Sequence, residues 1–572
     1  MYSFKEGPIV ERENWEFSNS IRNAISFENP VKRVLIATIM YLINSNPKLE
    51  EVSYNDIISG KLGPYDDIPG LTKEYLNEDE WNGCKNLCRQ FSEETLRNIV
   101  LAPLSELKKY YVEETPESVS ILAARILDIC ESDNVADLCC GSGGFETCLP
   151  QDLEISIDCF DIHTQAIDIL KLRALFLSCY PNVVQTNVFS LANVNRPYKK
   201  IFSNYPFVVN MKYDPVVTSF LKTIPNHPTV KAKSSDWVFN TLIMNLLSND
   251  GKAAVVMAGG SLFNTPDGDW RKWFVNNGWI EAIISLPANM FSTFSIPTFL
   301  VILSHGNTGI RMIDATKKAE KGRRYSYFTD ETIEEIVDSF RGENNLGKDV
   351  GFQEIKDNDY YLFPTRYLSE RVSFKNEIKF GDVILHTARG AVISAKELDE
   401  KVSDVDTGVT YLQLKNIQNG IIEEPLDNLK ELTPELKKHC AHTGNVIIPK
   451  IYSDGKIVVA DLPEGTDMVV SGNMFILELD ETKVYPFFAK AFLESEWGKK
   501  LLKDITAGTT IPTVSLSSLK TIPFPLPPKE EQLEIVNKYL AAQDEIKVLQ
   551  EKLQAAEERL AASIGDGGDW LA

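Results

Sequence analysis

The apolar and polar positions change rhythm three times along the chain. Up to about residue 110 the apolar residues recur at helical spacing, as in "VKRVLIATIMYLINS" and "EETLRNIVLAPLSELKKYY", interrupted by the turn-rich "GKLGPYDDIPGLTKEY". From about 115 to 345, short strand-like runs such as "VADLCC", "ISIDCFDIH", "KKIFSNYPF" and "TFLVILS" alternate with helical ones such as "AIDILKLRALFL". This alternation predicts a doubly wound, Rossmann-like α/β sheet. Beyond "DNDYYLFPTRYL" the pattern shortens into β-rich pieces with turns, closed by the proline cluster "IPFPLPPKEEQ". From about 530 a helix runs on without interruption, and Ile546, Leu549, Leu553, Ala556 and Leu560 repeat at alternating spacings of three and four, the seam of a coiled coil. A terminal helix packed on its own domain is the alternative. The predicted fold is therefore multidomain α/β, with parts at 1–112 (helical), 113–365 (α/β), 366–529 (β-rich) and 530–572 (coiled-coil helix and tail).

Length supports several cores, since 572 residues correspond to about three domains of roughly 100–200 residues each. With 43% hydrophobic and 24% charged residues the composition is that of an ordinary globular protein. The charged, aromatic start "MYSFKEGPIVERENWEF" does not read as a signal peptide, and no stretch offers the roughly 20 apolar residues of a membrane span. The expected location is cytoplasmic, without a membrane partner. Nine cysteines in no disulfide-like spacing agree, Cys130, Cys148, Cys159 and Cys179 lying in apolar runs. Cys84 and Cys88 share a helix face but have no second ligand pair nearby, so they read as buried cysteines and no metal site is expected. The net charge of −22 counts, at face value, against a nucleic-acid partner. A local basic groove, or basic surface from another chain, would meet that objection.

The chemistry begins at "VADLCCGSGGFE", a strand running into Gly141, Gly143 and Gly144 before a helix. Such glycines let a backbone approach a ligand. A dinucleotide loop would have glycine where Glu146 stands, and a carboxylate there would oppose a pyrophosphate. A ligand without phosphates, S-adenosylmethionine, fits better. Asp137 at the strand end would face its cationic methionine part, and Asp161, ending the next strand, its ribose hydroxyls. Downstream, "SNYPF" ends a strand on an amide. The Asn204 side-chain oxygen and the Tyr205 carbonyl are acceptors suited to hold an exocyclic adenine amine, and Phe207 is a ring suited to stack on a base taken from its helix. The plainer reading is an Asn-initiated turn with a core phenylalanine.

"DLCCGSGGF" followed by "SNYPF" resembles the N6-adenine DNA methyltransferases, with their motifs D-P-x-x-G-[ST]-G-G-F and [NDS]-P-P-[FYW]. "SDWVFNTLIMNLLSNDGKAAVVMAGGSLFN" and "WIEAIISLPANMFSTFSIPTFLVILS" extend the likeness to the methylation subunit of type I restriction-modification systems over most of residues 1–370. "FGDVILHTARGAVIS" and "TAGTTIPTVSLSSLKTIPFPLPPKEEQLEIVNKYL" resemble one half of the specificity subunit of the same systems, a target-recognition domain with a spacer helix. The resemblance implies a site-specific adenine N6-methyltransferase acting on double-stranded DNA as the modification arm of a restriction or related defence system. It also implies a homodimer through the C-terminal helix, because a full specificity subunit carries two such halves. It assigns Asn204, Tyr205, Pro206 and Phe207 to catalysis and Thr115, Pro116, Asp137, Gly141, Gly143, Asp161 and Asn187 to S-adenosylmethionine.

Three positions depart from the family pattern: Glu114 replaces an aromatic, Asn187 an acid, and Tyr205 the first proline of the catalytic motif. They motivate a second reading, a methylase-fold DNA-recognition subunit with weak or no catalysis. A third, a small-molecule or RNA methyltransferase, does not account for the last third of the chain. Cys139 and Cys140 read as packing residues of the loop, not nucleophiles. No nucleotide-binding G-x-x-x-x-G-K-[ST] loop or nuclease cluster is recognisable, so cleavage would need a separate restriction subunit.

Overall fold

The computed structural model describes residues 16–21, 29–60, 67–104, 114–150, 152–193, 197–207, 209–231, 234–291, 298–322, 325–368, 373–451, 453–505 and 513–562. They fall into two compact units, one within residues 1–369 and the other within 370–572.

The first unit is built on a nine-stranded sheet. Its strands are β1 (Val135–Leu138), β2 (Ser156–Asp161), β3 (Tyr180–Gln185), β4 (Tyr198–Ser203), β5 (Leu247–Ala258), β6 (Ile280–Ser285), β7 (Thr298–Ser304) and β8 (Gly309–Asp314). A short hairpin, β9 (Glu320–Lys321) and β10 (Ser326–Tyr327), precedes the last strand, β11 (Gly347–Gly351). The order across the sheet is β11-β8-β6-β7-β5-β4-β1-β2-β3. Strands β1 to β5 pair in parallel, and β7 enters antiparallel between β5 and β6. Every residue of β1 is buried, as expected of a parallel strand covered on both faces. Helices Glu117–Leu127 and Asp330–Arg341 contribute Leu122, Ile126, Ile333 and Ile336 to the core beneath the sheet.

The N-terminal helical pattern forms helices Pro30–Ser45, Glu78–Leu87 and Glu93–Leu101, among shorter ones. Their apolar faces share one core with Ile169, Leu172 and Phe176, which belong to or follow helix Thr164–Ala174 on the sheet. Cys84 and Cys88 are buried there, and among the described residues no group of three or more His, Cys, Asp or Glu side chains is placed to hold a metal ion. Cys148, Cys159 and Cys179 are buried as their surroundings suggested. Cys130 is exposed, because it follows the left-handed Asp128 that ends helix Glu117–Leu127 and lies in the turn before β1.

The second unit is the β-rich part. A four-stranded antiparallel sheet is formed by Ile384–Arg389, Met474–Leu479, Val446–Pro449 and Val458–Val459, and a five-stranded mixed sheet lies in the same unit. Helices Pro486–Glu494 and Glu496–Asp504 pack Phe488, Phe492 and Leu501 into the same core as Val446 and Leu477. The long helix Lys529–Ala562 starts on this core through the buried Gln532, which accepts from Tyr485 N and donates to Lys483 O and Pro527 O. Beyond Gln543, which donates to the Gly420 carbonyl, Ile546, Leu549, Leu553 and Leu560 are exposed. No described helix is long and apolar enough to cross a membrane.

Candidate active site

Strand order places both chemical motifs at one edge of the sheet. Chain direction reverses its march between β1 and β4, which are neighbours, and the crevice outside the carboxyl ends of such strands is where open α/β sheets take ligands. The loop after β1 carries "CCGSGG" and the loop after β4 carries "NYPF".

The β1 loop folds back tightly. Cys139 and Cys140 both donate their backbone N–H to the Phe160 carbonyl at the end of β2, at 2.8 and 3.0 Å. Cys139, Gly141 and Gly143 have φ of 70°, 55° and 86°, so the turn needs left-handed backbone three times in five residues. A side chain at Gly143 would run into Leu170, 2.4 Å from a Cβ, and one at Gly144 would press on Glu114 and Thr115. The glycines thus let the loop lie against both the helix behind it and the segment 114–116.

Of the expected cofactor residues, Gly141 and Gly143 lie in this loop, Asp137 and Asp161 border it, and Thr115 packs against Gly144. Asp161 accepts from Gly141 N and His163 N, each at 2.8 Å, which ties the end of β2 to the loop. The next residue, Ile162, is 67% exposed beside it. Asp137 is almost fully buried and its Oδ1 has no hydrogen-bond partner. Burial, followed by the nearby Glu146 carboxylate, pushes the Asp137 carboxyl well up from its ordinary range. Glu146 itself is buried and accepts from Cys159 Sγ at 3.2 Å. The sequence argument that set its carboxylate against a ligand pyrophosphate is corrected here, because the side chain turns into the core. Asn187 spends its Oδ1 on Phe189 N, 3.1 Å, capping the 3₁₀ turn Val188–Asn193.

The "NYPF" loop after β4 meets the same place. Asn204 Nδ2 donates to Thr115 Oγ1 at 3.0 Å, joining residues 89 positions apart in sequence. With its amide hydrogen committed to Thr115, the amide is oriented with its oxygen on the opposite side. Thr115 follows Glu114, whose carboxylate pairs with the fully buried Arg173, accepts from Ser142 Oγ at 2.9 Å and from Leu104 N at 2.7 Å. Arg173 also donates to the carbonyls of Val100, Ala102 and Ser142. An aromatic side chain at 114 would leave this guanidinium unpaired, so Glu114 is accounted for by its partner. Arg173 carried a signal in the sequence: it is a charge set among the apolar positions Ile169, Leu172 and Phe176 of its helix.

Tyr205 lies in the core. Its ring stacks on Phe239 with centroids 4.6 Å apart, and its hydroxyl donates to Asn240 Oδ1 at 2.9 Å. Both partners belong to helix Ser235–Leu246. A second tie comes from Ser235, whose Oγ accepts from Val209 N at 3.1 Å and donates to Asp236. Asp236 is buried, accepts from Ser261 Oγ at 2.8 Å, and is pushed up to about 6 by burial. Pro206 is exposed, and Phe207 is half-buried with its ring 6.5 Å from that of Phe291, edge to face. The roles of Arg173, Asp236 and Asn240 were not foreseen, since each depends on a partner distant in sequence.

Two family models match the chain: "N-6 DNA Methylase" over residues 93–375 and "Type I restriction modification DNA specificity domain" over residues 373–558. The type I restriction enzyme MpnII methylase subunit of Mycoplasma pneumoniae is 24% identical over 327 residues, which cover 51% of this chain and 59% of that protein. The MjaIX methylase subunit of Methanocaldococcus jannaschii is 26% identical, covering 46% of this chain and 52% of the relative. The chain thus spans between half and two thirds of the length of these relatives. Among solved structures, the type IIL restriction-modification enzyme MmeI in complex with DNA aligns with a TM-score of 0.51 at 10% identity, covering 94% of this chain and 92% of that one, a likeness of fold. One polypeptide thus carries a domain matching the N-6 DNA methylase family over residues 93–375 and a domain matching the type I restriction-modification DNA specificity family over residues 373–558.

Proposed function

We propose that this protein is a site-specific DNA methyltransferase that transfers a methyl group to N6 of adenine, the modification arm of a type I-like restriction-modification system. The observation that carries the reading is the hydrogen bond from Asn204 to Thr115, which sets the catalytic amide beside the glycine loop of β1. Under this reading the chain divides functionally into helical, methyltransferase, target-recognition and spacer parts at about 112, 365 and 529.

S-adenosylmethionine suits the β1 loop by its chemistry: behind the loop the buried carboxyls of Asp137 and Glu146 lie against each other, an acidic pair that a nearby cationic group would stabilise. That cation would draw the Asp137 carboxyl back toward its ionised form, offsetting the burial that raises it. Asp161, half-buried at the crevice, keeps lone pairs for ribose hydroxyls, and Thr115, Pro116, Gly141, Gly143 and Asn187 complete the binding residues. When bound, this cofactor supplies an electrophilic methyl on a sulfonium. The chain's own residues do the rest. Asn204 Oδ1 and the Tyr205 carbonyl accept the two N–H groups of a flipped adenine amine, which holds its lone pair toward the methyl. Pro206 stiffens the loop, Tyr205 anchors it from the core, and Phe207 supplies a ring on which the base stacks. The acceleration is one of proximity and orientation.

Double-stranded DNA is the proposed substrate, read by the second unit, with a separate subunit supplying cleavage. The exposed seam from Ile546 to Leu560 is proposed to pair with the same helix of a second copy. The test is transfer of labelled methyl from S-adenosylmethionine to unmethylated, sequence-diverse duplex DNA, comparing wild type with Asn204→Ala and resolving the modified bases by sequencing. Label on adenine N6 at one recognition sequence, reduced at least about 100-fold in the variant, is the expected result. A folded protein that binds duplex DNA but neither S-adenosylmethionine nor label would instead be a recognition subunit with a methylase fold.

A further inference from the structure

The net charge of −22 makes any cluster of cations without carboxylate partners conspicuous, and the second unit holds one. Strand Met474–Leu479 runs between Ile384–Arg389 and Val446–Pro449, and in this register Phe475 lies opposite Arg389 on one side and Ile448 on the other. Lys450 follows directly, its backbone N–H donating to Asn473 O at 2.8 Å. The result is two cations on one ring: the Arg389 guanidinium is 6.0 Å and the Lys450 ammonium 5.3 Å from the Phe475 centroid. The His439 ring borders the strand end, its Nδ1 in hydrogen-bond contact with the backbone carbonyl of Arg389.

Neither cation is paired with a carboxylate among the described residues; Lys450 Nζ donates only to the Gly472 carbonyl there. Burial, and then the charge of Arg389, push the Lys450 ammonium down from its usual range. The backbone beneath is fixed. Gly390 N donates to Met474 O and Ala391 N to Val470 O, while a side chain at Gly390 would strike Ser471 O at 2.0 Å. Arg389 is exposed at the strand end. An exposed guanidinium and a half-buried ammonium on a fixed backbone, with no carboxylate beside them among the described residues, make a place for an anion.

We propose that Arg389 and Lys450 hold a backbone phosphate of duplex DNA, fixing the register of the second unit on its target. This rests on the DNA reading above. Phosphate fits because a guanidinium and an ammonium around one ring offer several N–H donors to one group of anionic oxygens. A phosphate contact positions the protein without reading a base.

The experiment is equilibrium binding of the full chain to duplex oligonucleotides of differing sequence, titrated with salt, for wild type, Arg389→Gln, Lys450→Gln, Arg389→Lys and the distant, exposed Lys552→Gln. The expected result is affinity lowered about 3- to 10-fold by Arg389→Gln and Lys450→Gln, alike on all sequences, with the slope of log affinity against log salt smaller by about 1. Arg389→Lys should keep the wild-type slope, and Lys552→Gln should match wild type throughout. Because Arg389 is exposed, its replacement leaves the core intact, so a change seen only in Lys450→Gln with a lowered melting temperature would count against the site. Wild type that binds duplex DNA, with both glutamine variants unchanged in affinity and slope, overturns this assignment alone. Wild type that binds no duplex DNA at low salt overturns the assignment and the DNA reading together.

Discussion

At the scale of single residues, the positions that depart from the family pattern turn out to be accounted for by neighbours. Tyr205 gives up the fixed φ of a proline and gains a stacked ring and a hydrogen bond on helix Ser235–Leu246, so the loop is held from inside the core. The motif itself was legible because its chemistry is local, an amide, a carbonyl and a ring within four residues. Its support was not, because Asn240, Phe239 and Asp236 meet it only after the intervening 30 or so residues have folded. Asp236 has a measurable consequence. Burial raises it to about 6, so the folded protein holds this proton more tightly than the unfolded chain does. The stability it contributes is full below the unfolded value near 4 and is lost as pH rises through about 6, a change on the order of 3 kcal/mol. Thermal denaturation across that range should show the first unit losing stability with pH, and Asp236→Asn should flatten the loss. An unchanged slope would mean that Asp236 does not titrate there.

At the scale of elements, alternation of strands and helices was readable because central parallel strands are short, continuous apolar runs, as "VADL" is. The antiparallel entry of β7 was not, since "TFLVILS" is equally apolar in either direction. Helix Lys529–Ala562 followed its pattern closely, from the proline cluster to the last apolar residue of the seam. Its first half is anchored by Gln532 and by Gln543, and its second half leaves Leu549 and Leu553 at 56% and 60% exposure. Replacing both leucines with glutamine removes apolar surface that the isolated chain does not bury, so it should abolish self-association with little change in melting temperature. Light scattering over a range of concentrations checks this; a wild-type monomer at high concentration and on DNA would sink the dimer.

At the scale of the whole molecule, the two units have separate cores, with Leu122, Ala254 and Ile302 in one and Val446, Phe475 and Leu519 in the other. The proposed division of labour between chemistry and recognition would thus rest on two parts that each bury their own apolar surface. Within the first unit the opposite holds. Arg173 reaches helix Glu93–Leu101 through the Val100 carbonyl and the β1 loop through the Ser142 carbonyl, with Glu114 between them. One buried guanidinium thus makes the stability of that helix and the shape of the loop parts of a single equilibrium. Any ligand that binds only the ordered loop must draw free energy into the helix as well. Amide hydrogens of residues 93–101 should exchange with solvent more slowly when S-adenosylmethionine is present, although the ligand touches none of them, and in Arg173→Met that remote slowing should vanish.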